Sequence, residues 1–320
     1  MFRLKPIRRA KRRDLPRDIR RAADAAFCAV LALAVGLTIG AVLPQPPGTI
    51  PAGTRMAAMP RSAMPASGQD GSPGLRSTFA HEESAPTKLP AVAIVIDDLG
   101  ANIAHTREAI ALPKAVALAF LPYPEPTPVL ARAAGRAGHE VLVHVPMQAI
   151  GAQDPGPMTL SPALPAGENI RRLAWALERV PGFVGINNHE GSLFTSNRPA
   201  LMPVVEYLAG RHVFFFDSRT VAGSQVVATA RAFGVASAGR DIFLDDLATL
   251  DGIDAQLRAL ESRARANGVA IAIGHPHALT LDAVGYWTRH ETGFRLVTLG
   301  EAIRLKAGHE LERSLALAGG

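Results

Sequence analysis

At 320 residues, 48% of them hydrophobic, the chain can bury a substantial core in one large domain or two small ones. Its formal net charge of +6 is local. Ten of the 34 Lys and Arg residues and three of the 28 acidic residues (Asp14, Asp18, Asp24) precede or open the first long apolar stretch, leaving 24 basic against 25 acidic. That neutral balance excludes a nucleic-acid-binding body, and the single cysteine, Cys28, excludes a disulfide framework or thiolate metal site within one chain.

The N-terminus reads as a basic cytoplasmic segment (1–21) followed by an apolar run (22–43) long enough to cross a bilayer, which needs roughly 20 residues. Arg and Lys on its N-terminal side keep that end inside. The expectation is an uncleaved signal anchor in the cytoplasmic (inner) membrane. It makes a single pass and leaves the C-terminal part in the periplasm or outside. A cleaved signal peptide is the competing reading. Residues 44–88, rich in Pro, Gly, Ser and Ala, read as a flexible tether, and the folded domain as 89–305 with a tail at 306–320.

Within the domain, an unbroken run at 92–96, Val-Ala-Ile-Val-Ile, predicts a strand buried on both faces. It ends in Asp97-Asp98-Leu99-Gly100, and adjacent carboxylates repel unless a cation or a shared proton compensates. A helix is predicted at 103–112, a strand at 115–121, a helix at 129–137 after Thr127-Pro128, and a strand at 139–145 that delivers His144. A Pro/Gly-containing loop spans 151–165, long enough to fold over a site. The alternation continues through a helix at 168–180 and a strand at 182–188 ending in Asn187-Asn188-His189-Glu190-Gly191-Ser192. Next come a helix capped by Asn197, a strand at 213–216 ending in Asp217-Ser218-Arg219-Thr220, and a helix at 224–233. A strand at 241–244 ends in Asp245-Asp246, and after a helix at 253–266 a strand at 269–273 ends in Gly274-His275-Pro276-His277. A helix at 281–290, a short strand at 294–299 and a closing helix at 300–305 complete the domain.

Strands alternating with helices predict a parallel α/β sheet, closed or nearly closed into a distorted barrel of seven or eight β/α units, with a doubly wound open sheet as the alternative. Polar groups follow at least five apolar strands at the same end, so parallel strands bring them to one face. Asp98, His144 and His189 are candidate ligands for a divalent ion, Zn²⁺ first. Asp97 is the candidate general base, and His275 the candidate acid. Asn187, Asn188, Ser192, Asp217, Arg219, Asp245, Asp246 and His277 are candidates for contact with substrate.

Three of these stretches, Ile96-Asp97-Asp98, Gly138-His139-Glu140 with His144, and Ile273-Gly274-His275, resemble motifs of the polysaccharide deacetylases with a NodB-like barrel. As a set, IDDLG, HVPMQ, NNHEGS, FFDSRT, FLDD and GHPH resemble the divergent polysaccharide deacetylase family more closely, over roughly 90–305. The resemblance implies a distorted barrel and metal-assisted removal of N- or O-acetyl groups from a glycan, with Asp97 as base, Asp98 and His144 as ligands and His275 as acid. Two departures are visible. Gln148 stands where the ordinary family has a second histidine, for which His189 is the substitute. The Arg-Pro-Pro-Tyr motif is missing, and Arg219 is the candidate for its arginine. Two further functions remain open: a glycan-binding or envelope-assembly protein that has lost turnover, and a glycoside hydrolase using two of Asp217, Asp245 and Asp246.

Overall fold

The computed structural model describes residues 89–318. Nine strands, all pairing in parallel, form a single sheet: β1 Ala91–Leu99, β2 Ala117–Phe120, β3 Val141–Met147, β4 Phe183–Glu190, β5 Phe214–Asp217, β6 Ser237–Gly239, β7 Ile242–Phe243, β8 Val269–Gly274 and β9 Arg295–Leu296. The helices are α1 Ile103–Ile110, α2 Thr127–Arg136, α3 Ala166–Arg179, α4 Ser192–Thr195, α5 Arg198–Ala209, α6 Val226–Ala232, α7 Leu250–Asn267, α8 Ala278–His290 and α9 Leu299–Ala318. Among the described residues no helix is long and apolar enough to cross a membrane. The anchor expected at 22–43 and the tether at 44–88 lie outside them.

The strand order is β6-β5-β4-β3-β2-β1-β8-β7, with β9 pairing the start of β1 below β2. β6 and β7 stand at opposite ends of this order, yet only Arg240 and Asp241 separate them in sequence. Three peptide steps reach about 11 Å at most, so the sheet has to curl until its edges nearly meet. The result is the nearly closed barrel expected from the alternation, open only between β6 and β7. Lys306 sits across that opening, 2.6 Å from Asp241 and donating to the Gly239 carbonyl at 3.3 Å. The residues read as a tail from 306 onward therefore continue α9, and the helix closes the structure where no ladder does.

Side chains alternate across each strand, and the two faces divide the core. Val92, Ile94 and Ile96 of β1 join the larger cluster under the surrounding helices, together with Val141, Val143, Leu173 and Leu201. Ala91, Ala93 and Val95 face inward with Ala117, Ala119, Leu142, Val269, Ile271 and Ile273, and Leu299, Ala302 and Ile303 of α9 pack among them. The small alanines on β1 and β2 leave room for that helix. The inner rows, continued toward the C-terminal ends of the strands, become polar. The row 91-93-95 leads to Asp97, Leu142 leads to His144, and the row 269-271-273 leads to His275, while Asn187 is in register with His144. Period two alone thus aims these side chains at one enclosed space.

Strand boundaries from the sequence agree with the structure within about two residues wherever the apolar run is long. The exceptions lie near the opening. β6 is the three-residue Ser-Ala-Gly stretch 237–239, unrecognised because it has no apolar run, and the strand expected at 241–244 is reduced to Ile242–Phe243.

Candidate metal and catalytic site

Asp97 and Asp98 leave the end of β1 in different directions because the backbone breaks the alternation there. The pairing register of β1 with β2 shifts between Ile96 and Leu99, and Asp98 takes a left-handed φ of 57°. A bulge of this kind re-aims a side chain at a strand end. Asp97 stays in the inner row, 2% exposed, and Asp98 turns toward β3 and β4.

Three donor atoms meet there. Asp98 Oδ1 lies 3.3 Å from His144 Nε2 and 2.9 Å from His189 Nδ1, and the two imidazole nitrogens are 3.2 Å apart. His144 Nδ1 donates to Asn187 Oδ1 at 2.9 Å, which fixes the tautomer and leaves the Nε2 lone pair aimed at the common centre. Asp98 Oδ1 is buried and has no polar neighbour to bond with beyond these two imidazole nitrogens. A buried carboxylate oxygen facing two imidazole nitrogens is costly unless a positive charge lies between them. Ligands at about 2.1 Å from one ion, at angles between 90° and the tetrahedral value, are about 3.0–3.4 Å apart. The triangle fits a divalent ion held by Asp98, His144 and His189.

Electrostatics separate the two carboxylates. Burial would raise the Asp98 carboxyl, but the adjoining His144 and His189 hold it well below the usual carboxylate range. Burial dominates at Asp97 and pushes it up, against the pull of His144 and His275, with the Asp98 charge adding to the rise. An inner carboxylate with raised proton affinity beside an ionised one has the character of a general base next to a ligand. Asn187 Nδ2 donates to Asp97 Oδ1 at 2.9 Å and to Ser218 Oγ at 3.1 Å. One amide therefore holds both the ligand histidine and the base.

Opposite them, His275 is held by Asp245, which accepts from the His275 backbone N–H (2.6 Å) and ring Nδ1 (3.0 Å) and from Thr280 Oγ1 (2.9 Å). Burial works against protonation of His275, but this pairing, with the Asp97 charge, brings its pKa up to about 9. A raised folded-state pKa adds stability that is complete below the unfolded value near 6.5 and lost as pH rises through about 9. In Asp245→Asn the titration of His275 should move from about 9 toward 6.5, a loss of roughly tenfold or more in its protonated fraction at pH 8. The pH dependence of kcat/KM and the His275 ring resonances check this.

The other expected contact residues divide. Asn187 and Asn188 are buried and engaged within the protein, Asn188 Oδ1 accepting from the Ser218 backbone N–H at 2.9 Å and Nδ2 donating to the Glu190 carbonyl at 2.8 Å, so they build the site rather than meet substrate. Ser192 Oγ accepts from the Ile150 backbone N–H at 2.8 Å and anchors the 151–165 loop. Asp217 is buried beside Arg219, whereas Arg219, Asp246 and His277 are exposed. Asp245 does not pair with Arg219, because His275 and Thr280 occupy it. That engagement leaves Asp245 poorly placed to serve as one carboxylate of a glycosidase pair. Gln148 Oε1 accepts from Ser161 Oγ at 2.5 Å. Arg240, unrecognised in the sequence, reaches inward from the opening between β6 and β7. It donates to the carbonyls of Ser218 (2.8 Å) and Arg219 (3.0 Å), and the charges of Asp97 and Asp217 oppose the lowering of its pKa by burial. An isolated arginine between two very short strands carries no signal by pattern. The buried Ser218 is the second such residue.

A curled parallel sheet with carboxylates and imidazoles at the C-terminal ends of its strands is the layout that the sequence resemblance implied. The chain belongs to the divergent polysaccharide deacetylase family, whose model matches residues 94–303. It is 37% identical over 198 residues to the uncharacterized protein YibQ of Escherichia coli K12, covering 62% of each chain. It is 33% identical over 190 residues to an uncharacterized protein of Haemophilus influenzae, covering 59% of this chain and 68% of that one. Among solved structures, an uncharacterized protein of Agrobacterium tumefaciens C58 superposes with a TM-score of 0.65 at 30% identity, over 68% of this chain and 90% of that one.

Proposed function

We propose that the domain is a metal-dependent hydrolase that removes acetyl groups from a cell-envelope carbohydrate polymer. The observation that carries this reading is the convergence of Asp98, His144 and His189 on one point, with Asp97 in the adjoining inner row and His275 on the far side. Two imidazoles and a carboxylate suit Zn²⁺ best, and such an ion supplies Lewis-acid polarisation of an acyl oxygen. The protein's own residues supply the remaining parts. Asp97, buried and raised in proton affinity, accepts a proton from the attacking water. His275, protonated through neutral pH by Asp245, returns one to the departing sugar nitrogen or oxygen. Asn187 keeps His144 and Asp97 in place throughout. The basic segment and apolar run at 1–43 favour tethering at the cytoplasmic membrane with the domain outside it.

Incubating the purified full chain with Zn²⁺ and acetylated glycans tests this. Acetate release without shortening of the polymer is expected, falling at least about 100-fold in Asp97→Asn, the range that general-base loss covers. Shortening of the polymer would establish a glycosidase instead. Glycan binding unchanged in Asp97→Asn, with no acetate from either protein, would establish a binding protein.

A further inference from the structure

Beside the catalytic groups, the loop after β5 and the opening between β6 and β7 enclose a cavity of about 540 Å³, lined by Asp217, Arg219, Ser224, Val227, Arg240 and Asp241. Its two carboxylates are engaged within the protein, Asp217 also feeling the charges of Arg219 and Arg240. Asp241 is taken up by Lys306 at 2.6 Å and by the Ile271 backbone N–H at 2.8 Å. Asp217 is buried and accepts from the Arg219 backbone N–H at 2.9 Å, with Ser224 also bonded to it. Neither arginine has a carboxylate in ion-pair contact. Arg240 spends its Nε and one terminal nitrogen on carbonyl oxygens and lies against the Phe243 ring at 4.8 Å. The Arg219 side chain forms no ion pair or hydrogen bond among the described residues.

The position of Arg219 is built rather than incidental. Its backbone takes a left-handed φ of 51°, and its side chain crosses Gly239 so closely that a Cβ at that position would collide with the guanidinium. A non-glycine left-handed residue costs about 1 kcal/mol or more, and a glycine is kept at the end of β6 to make way for the side chain. The fold thus accepts strain to hold one unpaired guanidinium on the wall that Arg240 shares.

We propose that this cavity is a subsite for an anionic group of the substrate, a carboxylate or phosphoryl borne by a sugar next to the one deacetylated. This rests on the proposed function for what the neighbouring groups do, but not for the binding itself. The planar donors of two arginines match the paired oxygens of either anion. Arg240 donates to the Ser218 carbonyl, and Asn187 bonds both Ser218 Oγ and Asp97, so the cavity adjoins the catalytic groups and a chain seated with its anion between the arginines directs the adjacent residue toward them. An acidic glycan is selected over a neutral one of the same length.

Binding by the full chain in detergent is measured by calorimetry at about 50 mM salt for four probes: an acetylated oligosaccharide containing glucuronic acid, its carboxyl-reduced counterpart, glucose 6-phosphate and glucose. The charged member of each pair should bind about 10- to 30-fold tighter, as charge-assisted hydrogen bonds provide, with the advantage shrinking as salt rises. Comparing the two pairs tells carboxylate from phosphoryl. Arg219→Gln should erase the advantage of the charged probe over its neutral counterpart, and Gly239→Ala should do the same with the charge intact by displacing the guanidinium. Equal binding of charged and neutral probes, no binding of any probe, or a preference that survives Arg219→Gln overturns the subsite. Acetate release measured alongside separates the two readings: a preserved preference without acetate overturns the proposed function alone, and acetate release without a preference overturns the subsite alone.

Discussion

Asp98→Asn should abolish high-affinity metal binding while leaving the barrel folded. Asp98 contributes the oxygen corner of the three-atom triangle and is half-exposed at a strand end, so the substitution removes a ligand charge without opening the core. Loss of a residue that only supports a ligand costs 10- to 100-fold in affinity, and loss of the ligand itself exceeds about 100-fold. At a free metal concentration 1,000 times the wild-type Kd, binding stabilises the wild type by about 4 kcal/mol, and a 100-fold weaker site yields about 1.4 kcal/mol. For a domain of this size the difference is a rise in Tm smaller by roughly 5–10 °C. Thermal unfolding with Zn²⁺ and with a chelator, together with metal analysis, reads it directly. Equal metal-induced shifts in variant and wild type would remove Asp98 from the ligand set.

Asn187 should be the most sensitive position that touches neither ion nor substrate. It is fully buried, and its amide serves His144, Asp97 and Ser218 at once. Asn187→Ala leaves those buried groups unpaired at about 1–3 kcal/mol apiece, so a loss of about 3–5 kcal/mol is expected, together with 10- to 100-fold in metal affinity as the His144 ring loses its orientation. Asn187→Asp separates the two duties. A carboxylate still accepts from His144 Nδ1 and preserves metal binding, but it cannot donate to Asp97 and places a second negative charge beside it. The Asp97 proton affinity rises further, and turnover should fall while the metal stays bound. Denaturant unfolding gives the first quantity, and metal titration set against acetate release gives the second. If Asn187→Asp turned over normally, the amide would have no part in holding the base.

The residues legible from sequence were those delivered by long apolar strands. Asp97, His144 and His275 each extend an inward-facing row by one alternation, so strand recognition was enough to place them. Asp98 and His189 were legible as candidate ligands by chemistry, but the bulge that turns Asp98 toward the two histidines leaves no pattern in the sequence. The supporting groups were misassigned for a physical reason. Asn187, Asn188 and Ser192 are polar residues at strand ends, and whether such a group faces substrate or bonds inward depends on neighbours 30 to 90 positions away. The pairing of Asp245 with His275 has no sequence signal either, since closure of the sheet brings together residues 30 positions apart. Arg240 and β6 were invisible because segments of two or three residues have no periodicity to read. Residues 306–318 carry no strong apolar stripe to mark them as the continuation of α9.

The place of β1 has a consequence for how the chain acquires its structure. This first strand is flanked by β2 and β8 and also pairs β9 from the last quarter of the sequence, and it carries both aspartates. Contacts between such distant parts of a chain form slowly, because loop-closure entropy is lost before they contribute stability. A growing polypeptide therefore holds its two carboxylates beside an unfilled sheet edge until the final third has arrived. The interval before β8 and β9 arrive is when the exposed Val- and Ile-rich strand is most open to aggregation.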